Sequence, residues 1–194
     1  MPRKVDHRER RELLADALMQ LAATRGLQEV SLRHVAAQAG VSTGMVQHYF
    51  RTKDEMMTFA LGMVMDRIRE RSQAELTPAP PRELVRGLLL QVLPLDETRR
   101  LENHVVLAFL AYAAVKPSIA SGVREAAAQM RAFLAGQLRA TGPADGMDPE
   151  RAAAGLLALV DGLGLQLLSQ QYAEQDAIAA LDAQLALLFG TQSS

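Results

Sequence analysis

The chain has 194 residues, of which 49% are hydrophobic and 22% charged, enough to bury a core and too apolar to stay disordered. It has no cysteine, which excludes a disulfide scaffold, a thiol nucleophile and a Cys-ligated zinc or iron–sulfur centre. Net charge is −1, but residues 1–53 hold nine Lys or Arg against five Asp or Glu, while residues 54–194 hold 12 against 17, so a head of charge +4, suited to a polyanion, precedes a body of charge −5.

The start, Met-Pro-Arg-Lys, has no apolar run behind it, so no signal peptide is expected. Leu13, Leu14, Ala17, Leu18, Leu21 and Ala22 recur at helical spacing and predict a helix over 8–24, closed by Gly26. Ser31 caps a short helix over 32–39, Gly40 stops it, and Ser42 caps another over 43–49. Thr52-Lys53-Asp54-Glu55 reads as a capping box and opens a helix to about residue 75, with Met56, Ala60, Met63, Val64 and Ile68 as its buried stripe. Thr77-Pro78-Ala79-Pro80-Pro81 is the clearest break. Helices follow over about 82–93, 97–115, 119–140, 149–172 and 176–189, punctuated by Pro94, Pro117, Gly142-Pro143 and Asp148-Pro149. The longest apolar stretch, Ala152 to Leu168, carries Asp161 and Gln166 and is short for a bilayer. These elements predict an all-α protein of about nine helices, cytoplasmic and without a membrane partner. A three-helix head over 1–53 precedes a larger helical domain over 54–194.

The spacing within Ser31–Phe50 is that of a helix-turn-helix. Ala36 lies four residues before Gly40, and Val46 six residues after it. The small Ala permits a close crossing, Gly permits the turn, and Val packs the second helix on the first. At about 100° per residue, Val46 and Phe50 share one side, Gly44 and His48 point away, and Met45 and Gln47 flank them. Gly44 costs about 1 kcal/mol against Ala inside a helix, a cost that close approach to DNA would explain; starting a very short helix is the plainer explanation. Lys53 sits where the helix dipole disfavours a cation by some tenths of a kcal/mol. A phosphate partner would resolve that conflict, and so would screening by Asp54 and Glu55.

The run Gly40-Val41-Ser42-Thr43-Gly44-Met45-Val46-Gln47-His48-Tyr49-Phe50, followed by Lys53-Asp54-Glu55, resembles the DNA-binding signature of TetR-family transcriptional regulators. The resemblance covers roughly residues 8–60 and includes Ser31-Leu32-Arg33-His34-Val35-Ala36. It implies that Arg33 reaches a base or phosphate, that Thr43, Gly44, Met45 and Gln47 face the major groove, and that His48, Tyr49 and Lys53 hold the backbone. The family often has Tyr where this chain has Gln47. Gln pairs bidentately with adenine, so a distinct operator is expected.

Family members carry a helical C-terminal domain that dimerises through its last two long helices and often encloses a small-molecule pocket. The run 96–120, with Arg99-Arg100-Leu101-Glu102 and Phe109-Leu110-Ala111-Tyr112-Ala113, resembles the subgroup of the choline-responsive betaine-pathway repressor. The partners implied are double-stranded DNA with a palindromic operator, a second copy of the chain and a small-molecule effector; no cofactor or metal is expected. Leu156, Leu159, Leu163, Leu167, Leu181 and Leu185 are the expected dimerisation residues, and Gly155, Gly162 and Gly164 would permit close helix approach. Asn103, His104, Phe109, Tyr112, Met130, Phe133 and Gln166 are the expected ligand-pocket residues, although each taken singly better suits an ordinary core. Residues 54–194 hold only Phe59, Phe109, Phe133, Phe189, Tyr112 and Tyr172 as aromatics, few for a quaternary-ammonium cage, so a largely apolar effector is expected. A ligand-independent repressor with a filled C-terminal core stays open. An enzyme is disfavoured because the chain has no nucleophile elbow, phosphate loop or His-x-x-x-His, and a helical adaptor would need neither the Gly-Met-Gln-His face nor Lys53.

Overall fold

The structure, a computed structural model, describes residues 7–26, 30–75, 79–141 and 146–190. Arg3, Lys4, Thr77, Pro78, Gly142 and Pro143, all used in the sequence reading, lie outside the described residues. Among the described residues there are nine helices and no strand: α1 (His7–Arg25), α2 (Leu32–Gln38), α3 (Thr43–Tyr49), α4 (Lys53–Glu75), α5 (Pro81–Val92), α6 (Glu97–Val115), α7 (Pro117–Ala140), α8 (Pro149–Leu168) and α9 (Glu174–Phe189). The all-α expectation holds.

Three boundaries differ from the expected ones by two residues or more, the starts of α7 and α9, at Pro117 and Glu174, and the end of α8, and the first and last have local reasons. Helix α7 starts two residues early because Pro117 takes its first position, where a missing N–H costs nothing. Helix α8 stops at Leu168 because Gln170 adopts a left-handed φ of 58°. That turn sends the Gln171 N–H back to the Gln166 carbonyl at 2.9 Å and the Gln170 N–H to Leu167 at 3.2 Å, a Schellman closure with Gln in the place usually held by Gly.

The chain divides into two compact units, one drawn from Met1–Arg67 and His104–Ile119, the other from Ile68–Asn103 and Ala120–Ser194. The first unit holds α1, α2 and α3 together with the first part of α4 and the last part of α6. Its buried side chains include Leu14, Leu18 and Met19 of α1, Val35 and Ala36 of α2, Val46 of α3, and Met56, Met57, Ala60 and Val64 of α4. Leu18, Ala22, Met57, Val105 and Phe109 line one shallow apolar dent, so α6 joins the same apolar surface. This unit is larger than residues 1–53 because the buried face of α4 continues the core of the helix-turn-helix.

The second unit is built on Val85, Leu89 and Leu93 near α5, Leu134 and Leu138 of α7, Leu156, Val160, Leu163 and Leu167 of α8, and Leu181 and Leu185 of α9. Asp148 caps α8, accepting from the Glu150 and Arg151 N–H groups at 3.0 and 3.4 Å, with Pro149 at the first position as the sequence predicts. Among the described residues α8 is also the one helix long and apolar enough to cross a membrane, but Leu156, Val160, Leu163 and Leu167 are buried in the unit's own core. Arg86 of α5 forms a two-pronged ion pair with Asp182 of α9, at 2.5 and 3.0 Å. That bond holds the Asp182 carboxyl below the usual carboxylate range.

A polar cluster interrupts the apolar packing of this unit. Arg71 donates to both oxygens of the buried Glu102, at 3.1 and 2.7 Å, and to Gln91 at 3.1 Å. Beside it the Asn103 amide donates to the Val92 carbonyl at 2.9 Å. A Cβ added at Gly164 would stand 2.9 Å from Asn103 Oδ1, so glycine is needed there for α8 to approach α6.

Candidate nucleic-acid interface

The helix-turn-helix is fixed by its caps. Ser31 Oγ accepts from the His34 N–H at 3.3 Å and starts α2. Gly40, at φ 66°, turns the chain, and the Val41 N–H closes the turn on the Ala36 carbonyl at 2.9 Å. Ser42 Oγ then accepts from the Met45 N–H at 3.2 Å and starts α3. Val46 and Phe50 are fully buried, which anchors one side of α3. Gly44, Met45, Gln47 and His48 are exposed, as the helical angles predict, and Thr43 and Tyr49 are half-buried at its ends. Arg33 is exposed on α2. The Tyr49 ring lies between those of His7, at 4.8 Å, and His48, at 5.1 Å.

Nothing within the unit requires glycine at position 44. An added Cβ would meet only Ser42 Oγ, at 3.9 Å, which is ordinary contact.

Lys53 opens α4. The Glu55 N–H donates to Thr52 Oγ1 at 3.1 Å, the first half of the expected capping box. The returning bond to Glu55 Oε2 comes from the Arg51 N–H at 3.0 Å, one residue before the cap. The Lys53 ammonium is held below the ordinary lysine value, chiefly by partial burial and further by Lys116, with Asp54 opposing.

The neighbours of Lys53 carry a cluster that sequence reasoning missed. Tyr112 OH donates to Asp54 Oδ1 at 3.0 Å, Lys116 donates to Asp54 Oδ2, and Lys116 also donates to Tyr112 OH at 2.7 Å. The Lys116 bond, followed by that of Tyr112, holds the Asp54 carboxyl below the usual range against the effect of burial, and the Asp54 bond raises Lys116. Asp54 and Lys116 are 62 residues apart, too far for a local pattern to pair them.

Part of the head's basic excess is internal. The Arg11 guanidinium lies over the rings of Phe50, at 4.6 Å, and Phe59, at 4.4 Å, and reaches Glu55 at 3.5 Å. Arg8 pairs with Glu12 at 2.7 Å. Arg33 is exposed and Lys53 is part-buried.

The residues expected to line an effector pocket fall in both units. His104, Phe109 and Tyr112 belong to the first. Phe109 is buried, Tyr112 is committed to Asp54 and Lys116, and burial holds His104 below the ordinary imidazole value. Asn103, Met130, Phe133 and Gln166 belong to the second. Asn103 is buried, Met130 packs on the core, Phe133 is 40% exposed, and the Gln166 carbonyl serves the closure of α8.

The leucines expected to dimerise are placed otherwise. Leu156, Leu163, Leu167, Leu181 and Leu185 are buried in the protomer's own core, and Leu159 packs partly against it, so they have little or no surface to offer a second copy. Periodicity treats every apolar side of α8 and α9 as equivalent, and the fold does not. The outward side of α8 carries Gly155, Ala158, Gly162 and Leu165, and that of α9 carries Ala179, Ala183 and Leu187. A Cβ at Gly155 or Gly162 would meet nothing within 4 Å, unlike one at Gly164.

Residues 14–58 match the family described as bacterial regulatory proteins, tetR family, and residues 81–190 match that described as BetI-type transcriptional repressor, C-terminal. The chain is 32% identical over 170 residues to the HTH-type transcriptional regulator PksA of Bacillus subtilis (strain 168), covering 87% of this chain and 83% of that protein. The crystal structure of a transcriptional regulator from Rhodococcus sp. Rha1 superposes with a TM-score of 0.83 at 39% identity, covering 92% of this chain and 95% of that one. A transcriptional regulator from Saccharomonospora viridis, crystallised in complex with choline, gives a TM-score of 0.81 at 26% identity and covers 91% and 95% of the two chains. Its exposed α3 face, its caps and these likenesses place the chain in the tetR family of bacterial regulatory proteins, DNA-binding transcriptional regulators, with a C-terminal part of the BetI type.

Proposed function

We propose that the chain is a cytoplasmic repressor that binds a palindromic operator as a homodimer and is released by a small, largely apolar effector. Residues 1–53 bind DNA in this reading, and residues 54–194 dimerise and take the effector. The observation that carries it is the α3 face: Gly44, Met45, Gln47 and His48 stand clear of the core on a helix anchored by Val46 and Phe50. Gln47 reads a base edge, Thr43, Gly44 and Met45 line the groove, Arg33 reaches a base or a phosphate, and His48, Tyr49 and Lys53 hold the backbone. Two such helices must enter successive major grooves about 34–36 Å apart, which requires a dimer.

Dimerisation uses the outward sides of α8 and α9. Leu165 is 56% exposed and Leu187 is 72% exposed, so replacing both by Glu leaves the protomer core intact. The expected result is a dimer-to-monomer shift in sedimentation, with operator affinity reduced at least about 100-fold through loss of bivalent binding. A double variant that stays dimeric would overturn this assignment.

A second reading, a quaternary-amine effector, is favoured by the choline bound to the Saccharomonospora viridis regulator. The aromatics of this chain weigh against it. The Phe59 face carries Arg11, the Tyr112 hydroxyl is tied to Asp54 and Lys116, and Phe133 and Tyr172 are 40% and 42% exposed. Choline that both stabilises the protein and releases a bound duplex at micromolar concentration would decide for the second reading. Coupling requires that the effector prefer the conformation whose heads are wrongly spaced for DNA.

A further inference from the structure

We infer that Tyr112 and Lys116 are positioning residues for DNA binding: they compensate the Asp54 carboxylate at the start of α4, so that this helix end and Lys53 attract a DNA phosphate. The inference rests on the phosphate role of Lys53.

The three side chains form a closed ring of hydrogen bonds. Tyr112 gives its one proton to Asp54 Oδ1 and accepts from Lys116 at 2.7 Å, and Lys116 also donates to Asp54 Oδ2. Both carboxylate oxygens are thus engaged from α6 and the residue just after it. Asp54 suits the helix dipole, but it is also an anion one residue from the cation that is to meet a phosphate. Uncompensated, it would repel the phosphate at close range and attract the Lys53 ammonium to itself. With Lys116 beside it, Lys53, Asp54 and Lys116 together carry one positive charge. The arrangement costs little to hold, because Tyr112 and Lys116 lie one helical turn apart along the chain and stand ready as a pair. The Lys116 ammonium also lies 5.0 Å from the Tyr112 ring centroid.

The ring gives Lys116 a role distinct from a direct phosphate contact, and the two can be told apart. In the masking role the harm done by removing Lys116 comes from the exposed charge of Asp54, so neutralising Asp54 cures it. If Lys116 instead touched the phosphate directly, neutralising Asp54 would not replace the missing ammonium, and binding would stay weak.

The test is titration of a selected cognate duplex, at several salt concentrations, with wild type, Lys53→Ala, Tyr112→Phe, Lys116→Met and the double variant Asp54→Asn/Lys116→Met. Lys116→Met is expected to weaken binding about tenfold. Tyr112→Phe, which removes one hydroxyl, is expected to weaken it severalfold. The double variant is expected to bind within about threefold of wild type. Unchanged binding by both Lys116→Met and Tyr112→Phe, or a double variant no better than Lys116→Met, would overturn the inference. Lys53→Ala separates the underlying reading from it: full binding and an unchanged salt slope in that variant would refute the phosphate role of Lys53 itself. Thermal unfolding of each variant shows whether it is folded, and weakened DNA binding by Lys116→Met at an unchanged unfolding temperature, restored in the double variant, is a readout that a merely structural role for Lys116 would not give.

Discussion

Glu102→Ala is expected to destabilise the protein by about 2–4 kcal/mol, because it leaves the Arg71 guanidinium facing a buried space without its two-pronged partner. The Glu102 side chain is 4% exposed, and Arg71 donates to it at 3.1 and 2.7 Å. Arg71 itself is 29% exposed, so water recovers part of the loss, which keeps the figure below that of a fully enclosed pair. Gln91 also accepts from Arg71, and that bond does not depend on Glu102. The comparison is Glu174→Ala, which breaks the Arg100–Glu174 pair at 2.7 Å. Those side chains are 42% and 49% exposed, and the expected loss is below about 1 kcal/mol. Urea denaturation of both variants measures the difference. Equal losses would show that the enclosure of the Arg71 pair has no energetic consequence.

Gly44→Ala should separate folding from function. The added methyl meets only Ser42 Oγ, at 3.9 Å, and alanine is the better helix former, so stability is expected to rise by up to about 1 kcal/mol. The same methyl stands on the exposed face proposed to approach the major groove. There it should hold the backbone off the bases and lower operator affinity about tenfold or more, equivalent to at least about 1.4 kcal/mol. Thermal unfolding and DNA titration on one preparation measure both effects. Loss of stability would mean that the fold needs the glycine, and unchanged affinity would mean that the face is not at the groove.

The helix-turn-helix was legible because its determinants are local. The caps at Ser31 and Ser42, the turn at Gly40 and the buried Val46 lie within one short segment, and each follows from spacing alone. The ends of α4, α5 and α6 were legible for the same reason. What depended on distant partners was not. Asp54 reads as a screen for Lys53 until Tyr112 and Lys116 are placed on it, and Arg11 counts only toward the basic excess of the head until it is seen lying over Phe50 and Phe59. Helices α8 and α9 are apolar on several sides, so periodicity could not say which side faces its own protomer. The leucines went to the core, and the glycines divided: Gly164 serves Asn103, whereas Gly155 and Gly162 face outward. The end of α8 was missed because a glutamine took the left-handed position that glycine usually marks.

The central claim is that the exposed side of α3 reads the operator, and selection of bound duplexes from a random pool tests it most directly. Wild type should yield a palindromic consensus whose half-sites are one helical turn apart or a variant of that spacing. Gln47→Ala, which removes an exposed side chain with no part in the core, should weaken binding to that consensus by about 1–3 kcal/mol and relax one position in each half-site, leaving the others intact. A consensus from Gln47→Ala identical at every position to that of wild type would contradict the account.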